Sequence, residues 1–162
     1  MKNLTRTQLV LLAAGGSAAV LIVAYIFQAL GYVPCKLCWW QRYPHFAAVA
    51  VGALALMLRG AWLPWLGALA AATTSVIGAY HSGIERKWWD GPASCTSSGI
   101  EGLSTDDLLD QILAAPVVLC DEIPWRLSDM IPLDILDITM ANLNFVGAAV
   151  FAAIWVMAAK RP

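Results

Sequence analysis

Long apolar runs separated by short polar turns fill the first half of this chain, and one further run closes it. Four such runs can be read, at about 9–30, 38–58, 61–80 and 143–159. Each is close to the ~20 residues that a helix needs to cross a hydrocarbon core of ~30 Å. The second run reaches that length only if it begins near Cys38. The pattern therefore predicts an all-α membrane protein, a bundle of four transmembrane helices.

The polar stretches between the runs predict the remaining organisation. We expect loops at about 31–37 and 81–142, within a single integral membrane domain over residues 1–162. Ser104 is a candidate N-cap for a short amphipathic helix that ends before Pro116, with acids in its first turn. Apolar residues alternate irregularly with acids from 124 to 140, which favours amphipathic segments on the membrane surface. A mobile loop is the alternative for this stretch.

Basic residues ahead of the first run leave a second interpretation open. Lys2 and Arg6 followed by an apolar stretch also fit a cleaved signal peptide. The run is longer than a typical signal-peptide core, and three more runs follow it. We therefore expect the first run to be a retained membrane span.

The distribution of charge predicts the orientation of the bundle. Only 13% of residues are charged, against about 25% in soluble domains. All eleven acids fall between Glu85 and Asp137, whereas both termini and the turn at Arg59 are basic. These basic segments share one side of a four-span bundle, and the positive-inside rule makes that side cytoplasmic. All four cysteines then face the opposite compartment, which is oxidising in bacteria.

Cys35 and Cys38 form a Cys-x-x-Cys motif, a redox or metal-binding device, between the first two runs. If the second span begins at Cys38, the helix N-terminus stabilises a thiolate there and lowers its pKa. Arg42 lies one turn further along the same face and favours an anion on Cys38 or on a bound ligand. Gln41 adds a neutral donor. This placement indicates a dithiol that exchanges electrons with a molecule dissolved in lipid.

The other two cysteines, Cys95 and Cys120, stand apart in the long external segment, each beside turn residues. A disulfide between them would close a loop that has little else to order it. Zinc held by all four cysteines is one alternative, but structural zinc sites usually bring two close pairs, so we expect no metal. Two static disulfides are another alternative, although these need no Cys-x-x-Cys at a helix start beside an arginine.

Three stretches resemble the disulfide bond formation protein B family of inner-membrane proteins. Pro34–Pro44, read as Pro-Cys-x-Leu-Cys-x-x-Gln-Arg-Tyr-Pro, resembles the first active-site motif of that family. Tyr80–Cys95 and Ala115–Trp125 resemble the start and end of its second periplasmic loop. The chain departs from the family in its charged Lys36 and in a longer, more acidic stretch at 128–137.

The resemblance implies a thiol:quinone oxidoreductase of the bacterial inner membrane. Its partner would be a periplasmic thioredoxin-fold disulfide oxidase, and its cofactor a ubiquinone or menaquinone. The reduced partner would attack the Cys95–Cys120 disulfide and form a mixed disulfide at Cys95. Cys120 would then attack Cys35, and Cys38 would leave as a thiolate and donate to the quinone.

The expected quinone contacts are Arg42, Cys38, His81 and Gln41. His81 ends the third run at the level of Cys38, where it could protonate the quinone or be an interfacial side chain with a water partner. His45 lies deeper, and we expect it to contact neighbouring helices. Glu85 is expected to pair with one of the two basic residues that follow it.

Three rival functions use the same residues. One is a specialised paralogue that serves a dedicated partner by the same chemistry. Another is a non-catalytic membrane scaffold held together by two disulfides, which bound quinone in the purified protein would exclude. The third is a zinc-binding membrane protein, which elemental analysis would identify.

Overall fold

The computed structural model describes residues 4–58, 60–92, 95, 118–129 and 137–161. Four α-helices account for most of this part of the chain: α1 (Arg6–Ala29), α2 (Lys36–Met57), α3 (Leu63–Glu85) and α4 (Met140–Ala159). A 3₁₀ turn at Leu127–Asp129 and an isolated antiparallel bridge from Arg126 to Thr139 lead into α4. The expected all-helical fold is therefore confirmed for the described residues.

Three of the helices, α1, α3 and α4, are long and apolar enough to cross a membrane. Helix α2 has 22 residues, but its first half carries Lys36, Gln41, Arg42 and His45, which lower its mean hydropathy. The crossing of the membrane by α2 stays a prediction, as does the long external loop.

Local capping explains why α2 and α3 extend beyond their predicted bounds. Helix α2 begins two residues before Cys38, because Cys35 is its N-cap and accepts the Cys38 N–H on Sγ at 3.2 Å. Helix α3 continues past Tyr80 to Glu85, so that His81 is helical rather than part of a loop.

Helix α4 begins at Met140, three residues earlier than expected. Thr139 is its N-cap, and the side chains and backbones of Thr139 and Asn142 bond reciprocally in a capping box. The predicted helix after Ser104 lies outside the described residues, as do the surface segments expected between 130 and 136.

The four helices form a ring in which each packs on two neighbours: α1 on α2 and α4, and α3 on the same two. Trp155 of α4 is fully buried near one end and lies against Gly67 of α3 and beside Gly52 of α2. Small residues at such contacts let transmembrane helices approach closely, where lipid offers no hydrophobic driving force.

The end of α3 is closed by a Schellman motif that reverses the chain direction. The N–H groups of Lys87 and Trp88 donate to the carbonyl oxygens of Ile84 and Gly83, each at 2.9 Å. Lys87 adopts the left-handed conformation, with φ of 57°, that such a cap requires. Trp89 then packs directly on Gly83, where a Cβ atom would overlap its ring.

Candidate active site

The four cysteines meet at the end of the bundle where α1 and α3 finish and α2 and α4 begin. Cys95 and Cys120 are joined by a disulfide, with Cα atoms 5.2 Å apart. Cys35 and Cys38 are free, with their Sγ atoms 2.8 Å apart. Cys35, Cys95 and Cys120 are buried in one apolar cluster against which Cys38 packs. The remaining members of this cluster are Leu37, Ile77, Ile84 and Val118.

The local structure of α2 sets the two free thiols apart. Cys35 is the helix cap, whereas Cys38 lies in the first helical turn, where unpaired N–H groups favour negative charge. The hydrogen bond with Cys38, together with burial, raises the pKa of the Cys35 thiol above its ordinary value. Cys35 is therefore the member of the pair that retains its proton.

Arg42 turns from α2 towards α1. Its Nη1 donates to Gln28 Oε1 at 2.7 Å, and its Nη2 donates to the Ala24 carbonyl at 3.3 Å. The guanidinium also lies 4.9 Å from the ring centroid of Tyr25 and 4.8 Å from that of Trp39. We expected its partner to be an anion on Cys38 or on a bound ligand. That reasoning was incomplete, since neutral oxygens of α1 satisfy part of the cation.

An apolar groove of about 550 Å³ runs between α1 and α2 and reaches Tyr25, the ring beneath Arg42. Its remaining lining residues are Ala18, Leu21, Ile22, Ile26, Ala29, Phe46 and Val49. A hydrogen-bond donor beside aromatic rings, continued by an apolar groove, suits a lipid-soluble molecule with a polar ring. In the described part of the chain, Arg42 and this groove are together compatible with such a molecule.

His81 connects the two cysteine pairs. Its Nε2 lies 3.0 Å from the carbonyl oxygen of Cys120 and 3.7 Å from Sγ of Cys35. Its Nδ1 lies 2.9 Å from Nε2 of Gln41, an amide that donates, so the ring hydrogen is on Nε2 and is donated to Cys120. His81 is only 4% exposed and both ring nitrogens have protein partners, which disfavours the alternative of an interfacial side chain bonded to water. The other alternative, protonation of the quinone, stays a prediction.

His45 lies deeper in the bundle and is linked to the site through three helices. Its Nε2 lies 2.8 Å from Asn144 Oδ1, and Asn144 Nδ2 donates to Thr74 Oγ1 at 3.2 Å. Thr74 in turn donates to the backbone carbonyl of Gln41 at 2.8 Å. This chain of contacts agrees with the expected structural role of His45, and it holds the α2 turn that carries Gln41.

Glu85 departs from its expected pairing. Its carboxylate is buried and accepts a hydrogen bond from Thr139 Oγ1 at 2.6 Å. Lys87 pairs instead with Asp121, and Arg86 donates to acceptors near the start of α4. The expected ion pair between Glu85 and a following basic residue is therefore wrong, and Glu85 joins α3 to α4.

The sequence analysis missed several polar residues that position the site, namely Gln28, Thr74, Thr139 and Asn144. An available signal was their position within or beside apolar runs. A polar side chain at membrane depth is costly unless it finds a partner, so each such residue indicates a contact between helices.

Comparison with known proteins adds three findings. The family model described as Disulfide bond formation protein DsbB matches residues 6–158, nearly the whole chain. An uncharacterised protein of Rickettsia prowazekii (strain Madrid E) is 27% identical over 103 residues, covering 61% of this chain and 58% of that protein. The match thus spans less than two thirds of that relative's length. No solved structure matches the chain.

Proposed function

The chain belongs to the DsbB family of membrane oxidoreductases that act in disulfide bond formation, and on this premise we propose that it is a thiol:quinone oxidoreductase. In this proposal it reoxidises a thioredoxin-fold disulfide oxidase outside the cytoplasm and passes the electrons to membrane quinone. The observation that carries the proposal is the packing of both cysteine pairs in one buried cluster, with His81 in contact with each pair.

The first half of the proposed reaction is disulfide exchange with the partner. A partner thiolate attacks Cys95, the Cys95–Cys120 bond breaks, and Cys120 leaves as a thiolate. Because Cys95 is only 1% exposed, it must become accessible before this attack. The partner's second thiol then displaces Cys95 and closes the partner's own disulfide.

The second half transfers the electrons to the other pair. Cys120 attacks Cys35 in an oxidised Cys35–Cys38 pair, and Cys38 leaves as a thiolate from the first turn of α2. Exchange is faster when the leaving thiolate is stabilised, and a helix N-terminus provides such stabilisation. Cys95 then re-forms its disulfide with Cys120, which leaves Cys35 and Cys38 as a dithiol.

Arg42 and the groove below it would hold the cofactor. The dithiol would be reoxidised with a bound quinone as the acceptor of its two electrons and two protons. Arg42 would donate a hydrogen bond to a quinone oxygen, and the apolar lining of the groove would accommodate a hydrocarbon tail. Gln41 is occupied by His81 and by the Leu37 carbonyl, so we assign it the positioning of His81.

The charge asymmetry supports a bacterial inner-membrane location with both termini cytoplasmic and all four cysteines periplasmic. A paralogue with a dedicated partner would use the same residues and the same orientation. Only tests with different partner proteins separate these two forms of the proposal.

The decisive experiment is anaerobic mixing of the purified protein with a reduced thioredoxin-fold oxidase and a quinone, followed by quinone absorbance. We expect Cys35→Ser and Cys38→Ser to abolish quinone reduction. Cys95→Ser and Cys120→Ser should block turnover with the protein partner, yet still pass electrons from a small dithiol to quinone. If the wild-type protein reduced no quinone under these conditions, the result would favour the rival function, a non-catalytic membrane scaffold held together by two disulfides.

A further inference from the structure

We propose that the reduced Cys35–Cys38 pair and His81 also form a binding site for one Zn²⁺ ion. This site exists only while the two cysteines are not joined in a disulfide. The two Sγ atoms and a ring nitrogen of His81 all lie within 4.8 Å of one another. The pair is free, and each of the three residues is buried or half-buried. This site uses two of the four cysteines and a histidine, unlike the four-cysteine site considered from the sequence.

The geometry requires only a small movement to accept the ion. Zinc–sulfur bonds of about 2.3 Å and zinc–nitrogen bonds of about 2.0 Å place tetrahedral ligand atoms roughly 3.5–3.8 Å apart. The distance from Cys35 Sγ to His81 Nε2 is already 3.7 Å. The two sulfur atoms, at 2.8 Å, must separate by about 1 Å to reach the tetrahedral spacing.

The charge of the complex suits a buried position. Zn²⁺ displaces one proton from each thiol, and the resulting unit of one cation and two thiolates has no net charge. No electrons move in this step, so it needs no oxidant or reductant. When Cys35 and Cys38 are joined in a disulfide, neither sulfur is a thiolate, and the two strongest ligands are lost.

Gln41 provides the support that a metal-bound histidine usually has. A histidine that binds a metal through one nitrogen normally donates its other N–H to a fixed acceptor. Gln41 lies 2.9 Å from Nδ1 of His81, and a half-turn of its amide would present Oε1 in place of the nitrogen. The carbonyl oxygen of Cys120, 3.0 Å from Nε2, accepts the ring hydrogen whose place the ion would take.

Zinc in this position would stop disulfide exchange reversibly. Sulfur atoms bound to the ion can neither attack a disulfide nor join each other, so the pair would stay reduced until a chelator removed the metal. The inference concerns binding alone and does not depend on the proposed transfer to quinone, so each can fail without the other.

The test is an anaerobic titration of purified, quinone-free protein with Zn²⁺ in competition with a coloured chelator. We expect one equivalent bound by the reduced protein and none by the oxidised protein. A Cys95→Ser/Cys120→Ser double variant should retain the equivalent, whereas Cys35→Ser should lose it. His81→Gln should weaken binding at least about tenfold, and His81→Cys, which supplies a third sulfur, should restore it.

A matched control and a spectroscopic probe complete the design. Thr73→Val changes an exposed side chain on α3, the helix that carries His81, and should leave zinc affinity unchanged. Co²⁺ bound in place of Zn²⁺ should give the intense visible bands of a tetrahedral ion and a sulfur charge-transfer band. Equal binding by the oxidised protein, unchanged affinity in His81→Gln, or the weak spectrum of octahedral cobalt would each overturn the proposal.

Discussion

At the scale of single residues, Arg42 is held in place by two hydrogen bonds and still has N–H groups that can donate to a ligand. The guanidinium donates hydrogen bonds to two oxygens of α1 and lies close to the centroids of two aromatic rings, 4.9 Å from Tyr25 and 4.8 Å from Trp39. We expect Arg42→Lys to raise the KM for quinone and Arg42→Gln to raise it more, because lysine keeps the charge but loses the planar fork. A lost charge-assisted hydrogen bond of about 1.5–3 kcal/mol corresponds to roughly a ten- to hundredfold change.

Steady-state assays across quinone concentrations measure this effect. Gln28→Leu should shift the KM in the same direction, because it removes the acceptor that orients the guanidinium. Arg6→Lys, at the opposite end of the bundle, is the matched control and should leave the KM unchanged. Wild-type quinone kinetics in Arg42→Gln would show that Arg42 does not bind the quinone and only joins α2 to α1.

Gln41 gives a second prediction at this scale, since it fixes the ring hydrogen of His81 on the side of the cysteines. Gln41→Leu should slow electron transfer between the two cysteine pairs while leaving the first attack of the partner unchanged. A buried hydrogen bond of about 1–3 kcal/mol corresponds to a roughly 5- to 150-fold slower step. Rapid acid quench and thiol alkylation would show the reduced Cys95 and Cys120 thiols accumulating after the partner has been released; a wild-type lifetime of this reduced pair would exclude this role for Gln41.

At the scale of elements, the caps of α1 and α4 offer a matched pair. Thr5 and Thr139 each form a capping box, but Thr139 also donates to the buried carboxylate of Glu85. Thr5→Ala should cost about 0.5–2 kcal/mol of stability, and Thr139→Ala a further ~1–3 kcal/mol for the hydrogen bond to Glu85. Denaturation in mixed micelles, followed by circular dichroism, gives both values, and equal losses would show that the Glu85 contact contributes nothing.

Glycine positions separate tight helix contacts from open ones. A Cβ on Gly67 would lie 2.5 Å from the ring of Trp155, whereas nothing lies within 4 Å of one on Gly147. Gly67→Ala should therefore destabilise the bundle by about 1–3 kcal/mol through overpacking, and Gly147→Ala should stabilise α4 by up to ~1 kcal/mol. The same unfolding assay decides this prediction, which fails if both variants shift stability in the same direction.

The elements also show what the sequence can and cannot determine. Long apolar runs predicted the helices, because membrane thickness fixes their length. The start of α2 was placed two residues late and the end of α3 five residues early, since the caps at Cys35 and Lys87 depend on local hydrogen bonds rather than on hydropathy. The pairing of Glu85 was predicted wrongly, because its partner Thr139 is 54 residues away along the chain.

At the scale of the whole molecule, the ring of helices brings distant segments to one end of the bundle. The two cysteine pairs are separated by more than fifty residues, yet they share one apolar cluster. The sequence motifs indicated which cysteines matter and the resemblance indicated the order of exchange. Neither gave the His81 bridge, which arises because α3 runs one turn further than its apolar run and carries His81 into the cluster.

The membrane orientation gives the last prediction. Both termini and the turn near Arg59 are basic, whereas every acid lies between Glu85 and Asp137, so the cysteine end should face the periplasm. After reduction, a membrane-impermeant maleimide should label the cysteines in cells whose outer membrane alone is permeabilised. Cys38 should react first, since it is the cysteine that is not fully buried. A single cysteine placed at Lys160 in a cysteine-free protein is the control and should react only after inner-membrane lysis. The reverse labelling pattern would place the cysteines in the reducing cytoplasm, where a protein that forms disulfides could not maintain its own.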